Sequence, residues 1–195
     1  MCSSDLSTQT IINQVQAMKR MVNEFSDYAR LPAPELTALD LNALVGEVLG
    51  LYETSQADIH QQLDPALPMV FGDATQLRQV IHNLLRNAED AQSENDHPSI
   101  SLATRQVDDI AEFSVTDAGP GFPEEIISRI FEPYVTTKAG GTGLGLAIVK
   151  KIIDEHHGQI HINNHRPNGA KVTIWLPLAN ESILQTSQSE LSEES

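Results

Sequence analysis

Residues 136–152 read TTKAGGTGLGLAIVKKI, and four of the six residues from Gly140 to Gly145 are glycine. An amphipathic apolar run follows at once. A glycine-rich loop that opens a helix is suited to phosphate, because main-chain N–H groups can approach closely and the helix N-terminus carries partial positive charge. The spacing excludes three common loops. A dinucleotide fingerprint needs G-x-G-x-x-G directly after a strand, and a Walker loop needs G-x-x-x-x-G-K-[ST], a string absent from this chain. The glycine loop of eukaryotic-type protein kinases sits in a hairpin near the N-terminus, before a V-A-I-K-like strand.

The chain has 195 residues, 40% of them hydrophobic but only 5% aromatic, which fits one domain with an aliphatic core plus extensions. A net charge of −15 argues against a nucleic-acid partner or an anionic membrane surface. A polyanion held by so acidic a protein must rely on backbone N–H groups, a few cations and a metal ion. Cys2 is the single cysteine, so no internal disulfide forms, which fits a reducing compartment. No stretch approaches the roughly 20 apolar residues of a membrane span. The polar first ten residues do not read as a signal peptide, and no internal repeat is present.

Between residues 6 and 30, Ile11, Val15, Met18, Val22, Phe25 and Ala29 recur at spacings of 4, 3, 4, 3 and 4, a heptad seam. The seam suits a coiled coil or four-helix bundle, or a helix lying on its own domain. Pro32 and Pro34 end it. A strand at 35–40 and a helix at 41–53 capped by Asp40 are expected next. A hairpin at 57–72 follows, with Pro65 and Pro68 in its turn. A strong helix runs from Asp73 to Gln92, burying Leu77, Val80, Ile81, Leu84, Leu85, Ala88 and Ala91. Two paired strands flank Asp108–Asp109. Residues 118–142 are irregular, with one short helix near 123–130; such a segment in a compact domain is usually functional. A helix from Leu144 to His157 ends at Gly158 as C-cap. Two strands close the fold, with Trp175 on an edge-like strand packing in the core or on the sheet face. Residues 180–195 read as an acidic disordered tail. The sum is an α+β fold, a two-layer α/β sandwich with a mixed, mostly antiparallel sheet and three helices.

Three further stretches supply what the glycine loop needs. In HNLLRNA, Asn83 and Asn87 lie one helical turn apart and share a face. Amide oxygens there can ligate Mg²⁺ without adding negative charge beside a triphosphate. In TDAGPG, Asp117 stands at a strand end with Gly119 and Gly121 behind it. Its carboxylate can accept a hydrogen bond from an adenine amine while the glycines let the ring approach the backbone. FEPYVTTK brings Lys138 near where a terminal phosphate can lie.

In that order these stretches resemble the N, G1, F and G2 boxes of sensor histidine kinases, and NGAKVTIWLPL resembles their degenerate G3 region. The resemblance covers residues 35–179. MKRMVNEFSDYARLPAP further resembles the second dimerisation helix and exit linker of nitrogen-regulation-type, NtrY-like kinases. The resemblance implies a Bergerat (GHKL) ATP-binding fold in which a lid closes over the nucleotide, with ATP and Mg²⁺ as cofactors. Carried over by position, Asn87 is the metal ligand and Asn83 lies near metal and phosphates. Asp117 reads adenine, with Gly119 and Gly121 shaping its pocket. Lys138 and the amides of Gly141, Thr142, Gly143, Leu144, Gly145 and Leu146 hold phosphates, with Asn83 and Lys138 taking part in catalysis. The implied domains are a second dimerisation-type helix at 1–31, linker and first strand at 32–40, an ATP-binding catalytic domain at 41–179 and the tail at 180–195. The implied partners are the phosphoacceptor histidine helix of the same kinase, a response regulator and a second copy, as a homodimer of the intact kinase. The implied location is the cytosolic part of an inner-membrane-anchored kinase.

The pattern departs from the family in places. No histidine followed by an acidic residue stands on a helix before residue 6, so the chain is expected to begin after the acceptor helix and not to phosphorylate itself. Where many relatives carry a basic and an aromatic residue after the second N-box asparagine, this chain has Asp90 and Ala91. Ala170 replaces a small hydroxyl residue after the G3 glycine. Two alternatives stand beside a histidine-kinase catalytic domain. One is a non-catalytic nucleotide-binding or dimerisation module. The other is a Bergerat-fold ATPase, disfavoured because Asn83 stands where those enzymes carry a glutamate base, and an amide takes no proton at neutral pH.

Overall fold

The computed structural model describes residues 8, 11–12, 15–16, 18–19, 22, 25–26, 29–138 and 141–179. Cys2, Gly140 and the tail at 180–195 lie outside the described residues. Those described between 8 and 29 are helical, and the seam residues Ile11, Val15, Met18, Val22 and Phe25 are 51–67% exposed.

After Pro32 and Pro34 come β1 (Thr37–Leu39) and α1 (Leu41–Leu49), which starts where the Asp40 side chain accepts the Ala43 N–H. α1 is shorter than expected and passes into a 3₁₀ turn at Gly50–Tyr52. Then follow β2 (Asp58–Gln62), β3 (Val70–Gly72), α2 (Ala74–Ala91), β4 (Ser99–Val107), β5 (Ile110–Asp117) and the short α3 (Glu124–Ile127). α4 (Gly145–Glu155), β6 (Gln159–Asn164) and β7 (Ala170–Pro177) complete the order. Five strands form one sheet in the order β2-β4-β5-β7-β6, with β2–β4 the one parallel pair; β1 and β3 form a separate antiparallel pair.

The hairpin expected at 57–72 does not form. β2 pairs with β4 and β3 with β1. Two prolines deprive the connection of ladder donors. Its remaining groups turn elsewhere: the Asp64 N–H donates to Thr104 Oγ1 (3.0 Å) and the Asp64 carbonyl accepts from Asn42 Nδ2 (2.7 Å). These contacts fix β2 beside β4. Likewise β7 lies between β5 and β6 and is no edge. Trp175 stands on the sheet face, donating Nε1–H to Glu112 (3.0 Å). Arg105 grips the same carboxylate with two hydrogen bonds of 2.8 and 2.9 Å and, more than any other neighbour, holds it below the usual carboxylate range.

The core lies between the sheet and the helices. Ile100, Leu102, Phe113 and Ile174 from the sheet are buried, with Leu77, Ile81 and Leu85 from α2 and Ile148 and Ile152 from α4. The α2 apolar face follows the 3.6-residue period read from the sequence. At its N-terminus Asp73 Oδ1 accepts the N–H groups of Thr75 (2.8 Å) and Gln76 (3.0 Å), while Oδ2 accepts that of Glu35 (3.0 Å). The Asp73 N–H donates to Nε2 of His156, whose Nδ1 lies 2.8 Å from the Ile152 carbonyl. His156 is fully buried, so a neutral ring with Nδ1 protonated ties the end of α4 to the start of α2. The left-handed residue closing α4 is His157 (φ 55), not Gly158. Gly158 answers a different need: a Cβ there would lie 2.5 Å from the Trp175 carbonyl oxygen.

Candidate functional site

The site runs along α2. Asn83 and Asn87 share one face, as their spacing predicts. Asn83 Nδ2 is buried without a hydrogen-bond partner, an orphaned polar group beside a polar site. The Asn87 amide faces the glycine loop: a Cβ on Gly145 would sit 3.7 Å from Nδ2 and 3.9 Å from Oδ1. Lys138 reaches the same turn, donating from Nζ to the Asn87 carbonyl (3.2 Å) with Asp90 Oδ2 at 3.5 Å. Burial lowers the proton affinity of Lys138, and the carboxylates of Asp90 and Asp117 oppose that shift.

At the C-terminal end of α2, Gly119 packs on Ala91, whose carbonyl oxygen would lie 3.0 Å from a Cβ at that glycine. Asp117 Oδ1 accepts the N–H groups of Gly119 (2.8 Å) and Ala170 (3.3 Å). Burial pushes the Asp117 carboxyl up, partly offset by these two N–H groups and by Lys138. Asp117 also lines an open groove of about 480 Å³ with Ser99, Thr116, His165 and Asn168. That groove does not include Asn83, Asn87 or Lys138.

The phosphate-loop candidates occupy defined places. Gly143 (φ 68) is pressed against Tyr134, whose N–H donates to its carbonyl (3.0 Å). The Gly141 N–H is bonded to the Lys138 carbonyl (3.1 Å) and the Leu144 N–H to Thr142 Oγ1 (3.3 Å). Those two donors would have to change partners to meet a phosphate. Leu144 is fully buried, Gly145 opens α4, and Leu146 packs part-buried on the core. Gly121 (φ 75) lies apart from α2, against Asn164 and Gly169.

Sequence reasoning missed Asn164. It takes the backbone of Phe122 with both ends of its amide, accepting the N–H (2.7 Å) and donating to the carbonyl (2.8 Å). That fixes the segment leaving the Asp117 loop. One asparagine at a strand end carries no signal of this in the sequence. Gly169 (φ 116) was legible only as the G3 glycine; a Cβ there would lie 1.9 Å from the Asp117 carbonyl oxygen.

The residues fit a magnesium ion delivered with phosphates. Among the described residues no group of three or more His, Cys, Asp or Glu side chains could hold a metal. A magnesium ion held by one or two protein oxygens keeps waters and phosphate oxygens as its other ligands. The neutral amide oxygen of Asn87 suits the metal, and the orphaned Nδ2 donor of Asn83 suits a water or phosphate oxygen beside it.

Residues 72–180 match the family described as histidine kinase-, DNA gyrase B- and HSP90-like ATPase. The nitrogen regulation protein NtrY of Azorhizobium caulinodans is 36% identical over 91% of this chain, which spans 24% of that protein. The chain thus spans about a quarter of that curated relative's length. The catalytic domain of histidine kinase ThkA is 37% identical with a TM-score of 0.67, over 74% of this chain and 96% of that one. ThkA in complex with the response regulator protein TrrA gives 27% and 0.73 over 91% and 52% of the two chains. Full-length ShkA in complex with AMPPNP is 27% identical with a TM-score of 0.74, over 92% and 40%. With more than half of its length matched and a known catalytic domain aligned almost end to end, the chain belongs to the histidine kinase-, DNA gyrase B- and HSP90-like ATPase family, as a sensor-histidine-kinase catalytic domain.

Proposed function

We propose that this chain binds Mg-ATP along α2 and transfers the γ-phosphoryl group to a histidine on another helix. One observation carries the reading. Asn87, Lys138 and Gly145, drawn from three separate motifs, meet at one turn of α2, and Gly119 packs on Ala91 at the end of the same helix. Asp117 holds the adenine amine. Asn87 holds the metal, Asn83 its water or phosphate ligands, and Lys138 with the N–H groups of 141–146 the phosphates. Gly121 and Gly169 let the backbone close behind the base. Magnesium, when bound, supplies charge neutralisation at the phosphates.

The transfer breaks the bond from the γ-phosphorus to the bridging oxygen and forms one to an imidazole nitrogen. ADP leaves, and the ring proton passes to solvent or a neighbouring carboxylate. Catalysis by this chain is positioning and electrostatics. The amide of Asn83 cannot act as a water-activating base, which disfavours plain hydrolysis.

The domain reading places a dimerisation-type helix at 1–31, a linker and strand at 32–40, the catalytic domain at 41–179 and an acidic tail at 180–195. A second copy, an acceptor helix and a response regulator are the partners of the intact kinase; the ThkA complex with TrrA supports the last. No described helix is long and apolar enough to cross a membrane. We read the chain as the cytosolic part of an inner-membrane-anchored kinase. The test mixes this chain with a two-helix fragment bearing an acceptor histidine and γ-labelled ATP. Acid-labile label on the fragment is expected. Release of free phosphate without labelled fragment contradicts the reading.

A further inference from the structure

A carboxylate beside an expected triphosphate is electrostatically out of place, and Asp90 is such a group. It lies on α2 one turn beyond Asn87, with its side chain 51% exposed. Its Oδ2 is 3.5 Å from Lys138 Nζ, and the same ammonium donates to the Asn87 carbonyl at 3.2 Å. Lys138 is held locally too: its N–H donates to Thr136 Oγ1 (3.1 Å), and its carbonyl accepts the Gly141 N–H (3.1 Å). The contact therefore fixes the segment entering the glycine loop against the metal-ligand turn. It lies close to the C-terminus of α2, where the helix dipole favours a cation.

We propose that Asp90 is an affinity-determining residue that competes with the nucleotide's terminal phosphate for Lys138. The proposal rests on the phosphate role given to Lys138 above. Half-buried Lys138 is held by Asp90 and the Asn87 carbonyl together, and turning its ammonium toward a terminal phosphate gives up its pairing with Asp90. Without nucleotide the anion is Asp90, and Lys138 rests against α2. A terminal phosphate must displace the carboxylate to gain the same donors, so part of its binding energy is offset by the lost pair. A partly exposed pair has a modest worth, so the effect is a few-fold rather than orders of magnitude.

The test is a double-mutant cycle on the full chain, titrating Mg-AMPPNP and, separately, AMP by calorimetry. Asp90→Asn is nearly isosteric at an exposed position. It is expected to tighten AMPPNP about two- to fivefold and to leave AMP, which lacks the terminal phosphate, unchanged. Lys138→Met is expected to weaken AMPPNP, and in that background Asp90→Asn is expected to give no gain. Tightening that persists in the Lys138→Met background makes Asp90 a general negative field and overturns the proposal. Magnesium-dependent weakening by Asp90→Asn makes Asp90 a metal ligand and overturns it as well, as does no change at all. If Lys138→Met alone leaves AMPPNP affinity intact, the phosphate role of Lys138 fails first, and that result is distinguishable from failure of the competition.

Discussion

His156 joins two helices with one ring, and its chemistry makes a pH prediction. Burial, opposed by the Ile152 carbonyl and the carboxylates of Asp73 and Glu155, holds its proton affinity below the ordinary 6.5. Above about pH 6.5 the ring is neutral both folded and unfolded and contributes no pH dependence. Below that, the unfolded chain takes up a proton that the folded one refuses. Stability therefore falls as pH drops, by up to about 1.4 kcal/mol per unit, until the folded value is passed. The stability difference between the wild type and His156→Gln, measured by urea unfolding across that window, is expected to shrink as pH drops. A difference independent of pH contradicts the assignment. Gly169→Ala tests a second contact: its Cβ would meet the Asp117 carbonyl oxygen, at a φ that side chains rarely adopt. We expect it to cost several kcal/mol in unfolding and to weaken adenine binding. Asn83, Asn87, Asp117 and Lys138 stood out as candidates because their residue types suit the chemistry at fixed spacings. Asn164 did not, because its work is done on a backbone 42 residues away.

Among the elements, α2 carries both core and site. Leu85 is fully buried on the face opposite the solvent, so Leu85→Ala is expected to destabilise by about 2–5 kcal/mol in denaturant unfolding. Asp73→Ala removes a cap and the Glu35 contact, with an expected loss of about 1–2 kcal/mol. Asp73→Ser keeps the cap and is expected to recover most of that loss; no recovery would assign the cost to the linker contact. Periodicity made α2, α4, β4 and β5 readable, since each alternation or helical stripe is local. It failed at 57–72, because local alternation marks a strand without naming its partner. Asn42 and Thr104, distant in sequence, decide that partner. The end of α4 was misplaced for a related reason. Gly158 invites a left-handed cap, but His157 adopts it, and Gly158 is needed where a Cβ would strike β7.

For the whole molecule, the two-layer arrangement followed from counting helices and paired strands, while the sheet order with β7 inside did not. The layers bring motifs separated by up to 60 residues onto one helix. On the proposed reading, a nucleotide bound there is expected to tie the glycine loop, the Asp117 loop and α2 together. Mg-AMPPNP is therefore expected to raise stability by roughly 2–3 kcal/mol at 100-fold over Kd. The most direct test of the account is calorimetric titration of AMPPNP, with magnesium and with chelator, into wild type, Asn87→Ala and Asp117→Ala. Asn87→Ala is expected to lose the magnesium-dependent part of the affinity and keep the rest, whereas Asp117→Ala weakens binding with and without metal. Wild-type affinity in both variants would contradict it.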